Sequence, residues 1–284
     1  MKKIVCATDY SKNSVSALKY AYALSKKINA ELIILNIIEY PTIWNSDVPK
    51  PTFSDFESGA YQAYQKLLSE FCTKHLGAHF SSQNVTLEVK SGDDVENEIL
   101  NYANSVQASL LVLGVNGMSA LKELLLGSTT KTLISKSNIP VVAVPDGSKL
   151  EAFENLVYAT TLADEDIMAI KKICDVFGSI VAKLEVVHVS EKQDDVSMSK
   201  IEAFRTKLNS QFPTSNIELK IIYDDDVFET LKNYLKEQDV NILGMLEREK
   251  RVVWKNLFHR DLVKRLEDSA NIPLISINQE SVLS

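Results

Sequence analysis

Hydrophobic residues in this chain fall into two kinds of pattern. Short runs such as Ile4-Val-Cys-Ala7, Leu32-Ile-Ile-Leu35, Leu110-Leu-Val-Leu113 and Val141-Val-Ala-Val144 are apolar at every position. Such runs mark strands covered on both faces. Between them the apolar residues recur at helical spacing, as Val15, Leu18, Tyr22 and Leu24 do, and later Val95, Ile99, Leu100 and Ala103. The pattern predicts strands over about 2–8, 31–37, 84–90, 109–114 and 140–145, with helices over about 12–28, 55–76, 94–106 and 127–137. Strands alternating with helices of ten to twenty residues build right-handed βαβ units and a parallel sheet with helices on both faces. The predicted class is therefore α/β, doubly wound. Ligands of such sheets bind beyond the carboxyl ends of the strands, where strand order reverses. Here those ends carry Thr8-Asp9, Asn36-Ile37, Ser91-Gly92-Asp93 and Gly114.

The pattern then repeats. Lys3-Ile-Val-Cys-Ala-Thr-Asp9 aligns with Asn155-Leu-Val-Tyr-Ala-Thr-Thr161 at an offset of 152, and the same offset lays Ala30–Ile37 on Ala182–Val189. Asn84–Val89 matches Asn216–Ile221, Ser109–Gly114 matches Asp239–Gly244, and Asn138–Val144 matches Asn271–Ile277, all in the same order. A repeat of this length predicts two tandem five-stranded sheets, in units spanning 1–147 and 148–284. The last strand of each unit is apolar on both faces and lies at a sheet edge, so the two edges are expected to cover each other as an intrachain pseudo-dimer.

The segment after the fourth strand carries the candidate chemistry. Gly114-Val-Asn-Gly117 is followed, nine residues later, by Gly127-Ser-Thr-Thr130, which opens a predicted helix. Glycine at the strand end admits positive φ and close approach of a ligand to the backbone. Free N–H groups and the positive end of a helix, with two hydroxyls beside them, form a phosphate site that needs no metal ligand. Asp9 has a plainer role available as the cap of the first helix, and Asp93-Asp94 as the cap of the third.

The combination of Asp9 after the first strand, the spacing G-x2-G-x9-G-[S/T] from Gly114 to Ser128, and the closing Ile-Pro-Val-Val-x-Val strand resembles the ATP-binding branch of the universal stress protein family, in a tandem two-domain form. That resemblance implies the adenine nucleotide alpha hydrolase-like fold and ATP, alone or with Mg, as ligand. It implies that Asp9 bonds the ribose or base at the end of a strand whose last residues are Ala7 and Thr8, and that Ile37 and Leu113 pack on adenine. Gly114, Asn116 and Gly117 would wrap the ribose-phosphate, and Gly127, Ser128 and Thr129 would hold the phosphates. Ala7 stands where the family often has proline, and Asn116 where histidine is common.

The second copy departs from this pattern. Thr161 replaces Asp9, no second glycine follows Gly244, and Arg260-Asp261 fall where Gly127-Ser128 stood. Seven of the nine glycines lie in the first 150 residues, which assigns the phosphate turns to the first copy alone. The second copy is expected to be nucleotide-free.

Composition narrows the class further. The net charge of −7 argues against bulk nucleic-acid binding, and no apolar run reaches the roughly 18 residues of a membrane span. Three cysteines, Cys6, Cys72 and Cys174, read as buried thiols of a cytoplasmic protein. His75, His79, His188 and His259 show no metal-ligand spacing, and Lys122, Lys131 and the mixed run Lys250–Arg265 read as solvated helix faces. Ala7-Thr-Asp-Tyr-Ser11 lacks the paired glycines of the related ATP pyrophosphatases. The expected function is an ATP-binding stress-response or regulatory module with an unidentified protein partner. A ligand-free interaction scaffold and a weak ATPase are the alternatives. The proline-rich stretch from Glu39 to Ser54, with Trp44, is expected to fold over the nucleotide or meet a partner.

Overall fold

A computed structural model of the chain describes residues 1–39, 53–80, 84–115, 128–148, 153–191, 193–213, 216–248 and 272–283, with the backbone alone at 39 and 53–60. The first half runs β1 (Lys3–Ala7), α1 (Lys12–Ile28), β2 (Glu31–Glu39), α2 (Phe53–Leu76), β3 (Val85–Gly92), α3 (Val95–Ser105), β4 (Leu110–Val115), α4 (Ser128–Lys136) and β5 (Val141–Pro145). The second half runs β6 (Asn155–Ala159), α5 (Asp164–Phe177), β7 (Lys183–Ser190), α6 (Asp195–Gln211) and β8 (Ile217–Tyr223). It closes with α7 (Val227–Glu237), β9 (Ile242–Glu247), β10 (Leu274–Asn278) and α8 (Glu280–Leu283). Every predicted strand and helix of the first half is present, with its ends moved by one or two residues.

The two expected five-stranded sheets meet edge to edge and so form one. All ten strands join in the order β3-β2-β1-β4-β5-β10-β9-β6-β7-β8, parallel within each half. The halves meet where β5 and β10 pair antiparallel, Ala143 against Leu274, Val142 against Ile275 and Val141 against Ser276. The aligned repeat equates Val142 with Ile275, so each of these residues faces its own counterpart, and Val141 and Ala143 exchange partners across them. That is the register of an isologous, two-fold contact. It gives each apolar edge a hydrogen-bonded neighbour in place of solvent.

Helices cover both faces. One core runs continuously across the seam beneath α1, α2, α5 and α6, including Ile4, Leu24, Leu68, Phe153, Ile170 and Phe204. The rings of Tyr20 and Phe153 meet edge-on within it at 5.1 Å. On the other face the described residues form two separate clusters, one with Ile99 and Leu133 under α3 and α4, the other with Leu231 and Tyr234 under α7. Polar ties also cross between halves: the Lys2 ammonium donates to the Val176 carbonyl at 3.0 Å, the Lys172 ammonium to that of Asn138 at 3.4 Å, and the Asn278 amide to that of Ser135.

Candidate functional site

The strand order reverses between β1 and β4, and a cavity of about 410 Å³ opens there at their carboxyl ends. Its making starts with a tight turn after β1. Thr8 keeps the strand register, its N–H donating to the Leu35 carbonyl at 2.9 Å, and Tyr10 then takes a positive φ of 63°. The buried Thr8 hydroxyl accepts from the Tyr10 N–H at 3.1 Å and donates to the Ser14 hydroxyl at 2.9 Å. Asn36, on β2, donates its amide to the Thr8 carbonyl at 2.8 Å. The turn aims the first residues of α1 into the cavity.

Ser11, not Asp9, caps α1: its hydroxyl accepts from the Ser14 N–H at 3.3 Å. Both residue types are good caps, and the helix phase selects the serine. The exposed Asp9 instead accepts from the Ser11 N–H at 3.0 Å, which steadies its carboxylate at the rim. At α3, Asp94 is the cap, accepting from the Asn97 N–H at 3.0 Å.

Gly114 does not take the positive φ expected of it, and a close approach within the fold requires it. Among the described glycines only Gly77 and Gly147 have positive φ. A Cβ on Gly114 would run into the Asn13 carbonyl and lie 2.8 Å from the Ser14 nitrogen. The glycine thus lets the backbone of α1 lie against β4. That approach brings the first turn of α1 over the switch point.

The sequence-derived residues converge as follows. Ala7, Thr8, Asp9, Ile37, Leu113, Gly114 and Thr129 all line the cavity. Ser128 opens α4 but is exposed and absent from the lining. Asn116, Gly117 and Gly127 lie outside the described residues, as do most of the stretch from Glu39 to Ser54, Lys122, and Arg260-Asp261. Lining residues not singled out from sequence are Ser11, Asn13 and Ser14 on the α1 turn, Leu35, Val95, Ile99, Val115, and Thr130 with Leu133 on α4. The Thr129 hydroxyl, expected toward phosphate, donates to the Glu96 carboxylate at 2.7 Å.

The electrostatics of this place differ from the rest of the molecule. Neither α1 nor α4 has an acidic residue in its first turn. By contrast α3 begins with Glu96 and Glu98, α5 with Asp164, Glu165 and Asp166, α6 with Asp195 and α7 with Glu229. Acidic side chains at an N-terminus offset the helix dipole and its unpaired N–H groups. Three helices reach the cavity, and of these α3 brings its own acids while α1 and α4 have none in their first turns. Among the described residues no group of three or more His, Cys, Asp or Glu could hold a metal ion.

The residue profile of the Universal stress protein family matches residues 1–145. The chain belongs to the universal stress protein family. Universal stress protein MJ0577 of Methanocaldococcus jannaschii is 30% identical over 155 residues, covering 50% of this chain and 94% of its own. Universal stress protein YxiE of Bacillus subtilis is 30% identical over 148 residues, 50% of this chain and 97% of its own. A universal stress protein from Archaeoglobus fulgidus shares the fold across 98% of both chains with a TM-score of 0.68 and 17% identity.

In this universal stress protein the matching turn of the second half has the same backbone and different chemistry. Leu162 has φ 61°, the Thr160 N–H donates to the Val187 carbonyl at 2.9 Å, and the Thr160 hydroxyl accepts from the Leu162 N–H at 2.8 Å. His188, matching Asn36, reaches the Thr160 carbonyl through Nδ1 at 2.9 Å. Burial lowers the pKa of His188, so the ring is neutral near pH 7 with its proton on Nδ1. Asp166 stands where Ser14 does and is 1% exposed. It accepts from the Tyr158 and Thr160 hydroxyls at 2.8 Å and from the Thr161 and Ala163 N–H groups at 3.1 Å. Burial and this carboxylate push the Tyr158 hydroxyl well above its ordinary pKa, which keeps it a donor. Arg248, just past β9, completes the cluster, 3.1 Å from Asp166 and 2.5 Å from the Thr161 hydroxyl. Asp166 and Arg248 thus pair at the start of α5, where the first half has Ser14 at the start of α1.

Proposed function

We propose that this universal stress protein binds one adenine nucleotide, ATP, in the cavity of its first half and serves as a nucleotide-responsive stress or regulatory module. The observation that carries the reading is the convergence on one cavity of the N-termini of α1 and α4, whose own first turns hold no acid, while the helix matching α1 in the second half carries three. Uncompensated N–H groups at a helix start favour anions such as phosphate. The volume falls within the roughly 300–1,000 Å³ of small-molecule sites, and the walls combine apolar side chains with a few polar ones. Ile37 and Leu113 would hold the base, Asp9 the ribose, and the starts of α1 and α4 the phosphates. The sequence pattern adds Asn116, Gly117, Gly127 and Ser128 to the phosphate side. Magnesium accompanying ATP would ride on the phosphates.

On this reading the chain arose by tandem duplication of a unit of about the length of residues 1–147, and its second half lost the ligand. Among the described residues no helix is long and apolar enough to cross a membrane, and the three cysteines are free, which fits action in the reducing cytoplasm. Calorimetric titration with ATP tests the proposal. One site per chain is the expected result. Two equal sites would refute the inert second half, and no binding would leave a ligand-free interaction scaffold as the function.

A further inference from the structure

Glu96 lies in the first turn of α3 but does not cap it. Asp94 caps α3, its two carboxylate oxygens taken by the Asn97 N–H and the Asn97 amide at 3.0 and 2.6 Å. The Glu96 side chain instead crosses to α4 and accepts the Thr129 hydroxyl at 2.7 Å in a partly buried position. Its neighbour Val95 and its partner Thr129 both line the cavity. A threonine hydroxyl has one proton, so Thr129 cannot donate to Glu96 and to a phosphate together. The carboxylate is a fixed negative charge beside the start of a helix that has no acid of its own. It sits where an anionic ligand would gain most from that helix.

We propose that Glu96 is a built-in substitute for ligand phosphate, which sets the selectivity of the site against highly charged nucleotides. The inference rests on the adenine-nucleotide reading of the cavity. An incoming terminal phosphate must either displace the carboxylate from Thr129 or lie against it, and the penalty grows with the charge on the ligand. Adenosine meets no such penalty, AMP a small one, and ATP the largest. Magnesium, by neutralising phosphate charge, reduces it.

Calorimetric titration of adenosine, AMP and ATP, without and with magnesium, into the wild-type chain and into Glu96→Gln tests this. Glutamine keeps an acceptor for Thr129 and removes the charge. The expected result is ATP binding tighter by about tenfold in the variant, the scale of one like-charge contact near a protein surface. AMP should gain less and adenosine stay within about twofold, a difference too small to count as a charge effect. Magnesium should narrow the gap for ATP. Equal changes for all three ligands, or weaker ATP binding in the variant, would overturn the role of Glu96 while leaving the nucleotide reading intact. Failure of every ligand to bind either protein would overturn both. If Glu96→Gln does not fold, Glu96→Ala makes the same comparison.

Discussion

The turns at residues 8–14 and 160–166 differ in what they contain and agree in how they run. Tyr10 and Leu162 share a left-handed backbone, and the threonine before each organises the same hydrogen bonds. In the first half the position after the turn is Ser14, a small hydroxyl that leaves room beyond it. In the second it is Asp166, whose carboxylate satisfies the helix start and pairs with Arg248. One change of side chain, from hydroxyl to carboxylate, converts a helix N-terminus that can receive an anion into one that already has its own. A conserved scaffold geometry therefore says little about binding until the charge at the helix start is known.

The largest effect should come from removing the internal anion. Asp166→Ala would leave Arg248 and the surrounding hydroxyl and N–H donors without their acceptor, at a cost of about 3–5 kcal/mol in urea unfolding at pH 7. Ser14→Ala at the matching position removes one neutral hydroxyl and should cost about 1 kcal/mol. Equal losses would mean that the two turns are not the contrasting pair described here.

The glycines within β4 and β9 offer a second contrast. Gly114→Ala sets a methyl group against the backbone of α1, which cannot yield without moving the helix, and should cost about 3 kcal/mol. Gly244→Ala meets the tip of Ile173 at 2.8 Å and the ring of Tyr158 at 3.1 Å, side chains that can adjust, and should cost about 1 kcal/mol. Unfolding curves for the pair decide whether the close approach of α1 is as tight as its geometry.

Moving the charge itself sharpens the comparison in binding. Ser14→Asp gives the first half the second half's acid, and should weaken ATP binding by at least about tenfold, or 1.4 kcal/mol. Unchanged affinity would separate the ligand from the start of α1.

The smallest effect is one of pH. His188 has its pKa lowered in the folded chain, mainly by burial, so the folded state binds fewer protons than the unfolded state just below pH 6.5. The associated stability is present above the ordinary value of 6.5 and is lost as pH falls through it. His188→Asn, which installs the residue of the first half, should flatten the fall in unfolding free energy between pH 7 and 5.5 by up to about 1 kcal/mol. An identical slope in the variant would assign the pH dependence elsewhere.

Much of this architecture could be read from the chain because its signals are local. All-apolar runs such as Leu110–Leu113 can only be strands buried on both sides, and the apolar edge of Val141–Val144 demanded a partner, which β10 supplies. What sequence could not reveal depends on residues far apart. Glu96 reaches Thr129 across 33 positions and Arg248 reaches Asp166 across 82, through contacts chosen by helix packing rather than by spacing. The cap at Ser11 was hidden by competition, since Asp9 two residues earlier is an equally good candidate until the helix phase is known. Gly114 was legible as a place of close approach, but the approach of the first turn of α1 was not, because a glycine carries the same signature whichever neighbour needs the space.

The seam also has a consequence for synthesis. β5 ends at Pro145, and its partner β10 begins at Leu274, so the first half leaves the ribosome with an apolar strand edge that has no mate. At ordinary elongation rates of about 5–20 residues per second, the wait is on the order of ten seconds. During that time two nascent chains on one message could pair by the same two-fold register. The strand is only five residues long, with Pro140 immediately before it and Pro145 as its last residue, and Pro273 stands just ahead of β10. Prolines donate no ladder hydrogen bond, and short strands guarded by them are poor templates for wrong partners. The chain thus keeps its adhesive edge brief until its own last strand arrives to close it.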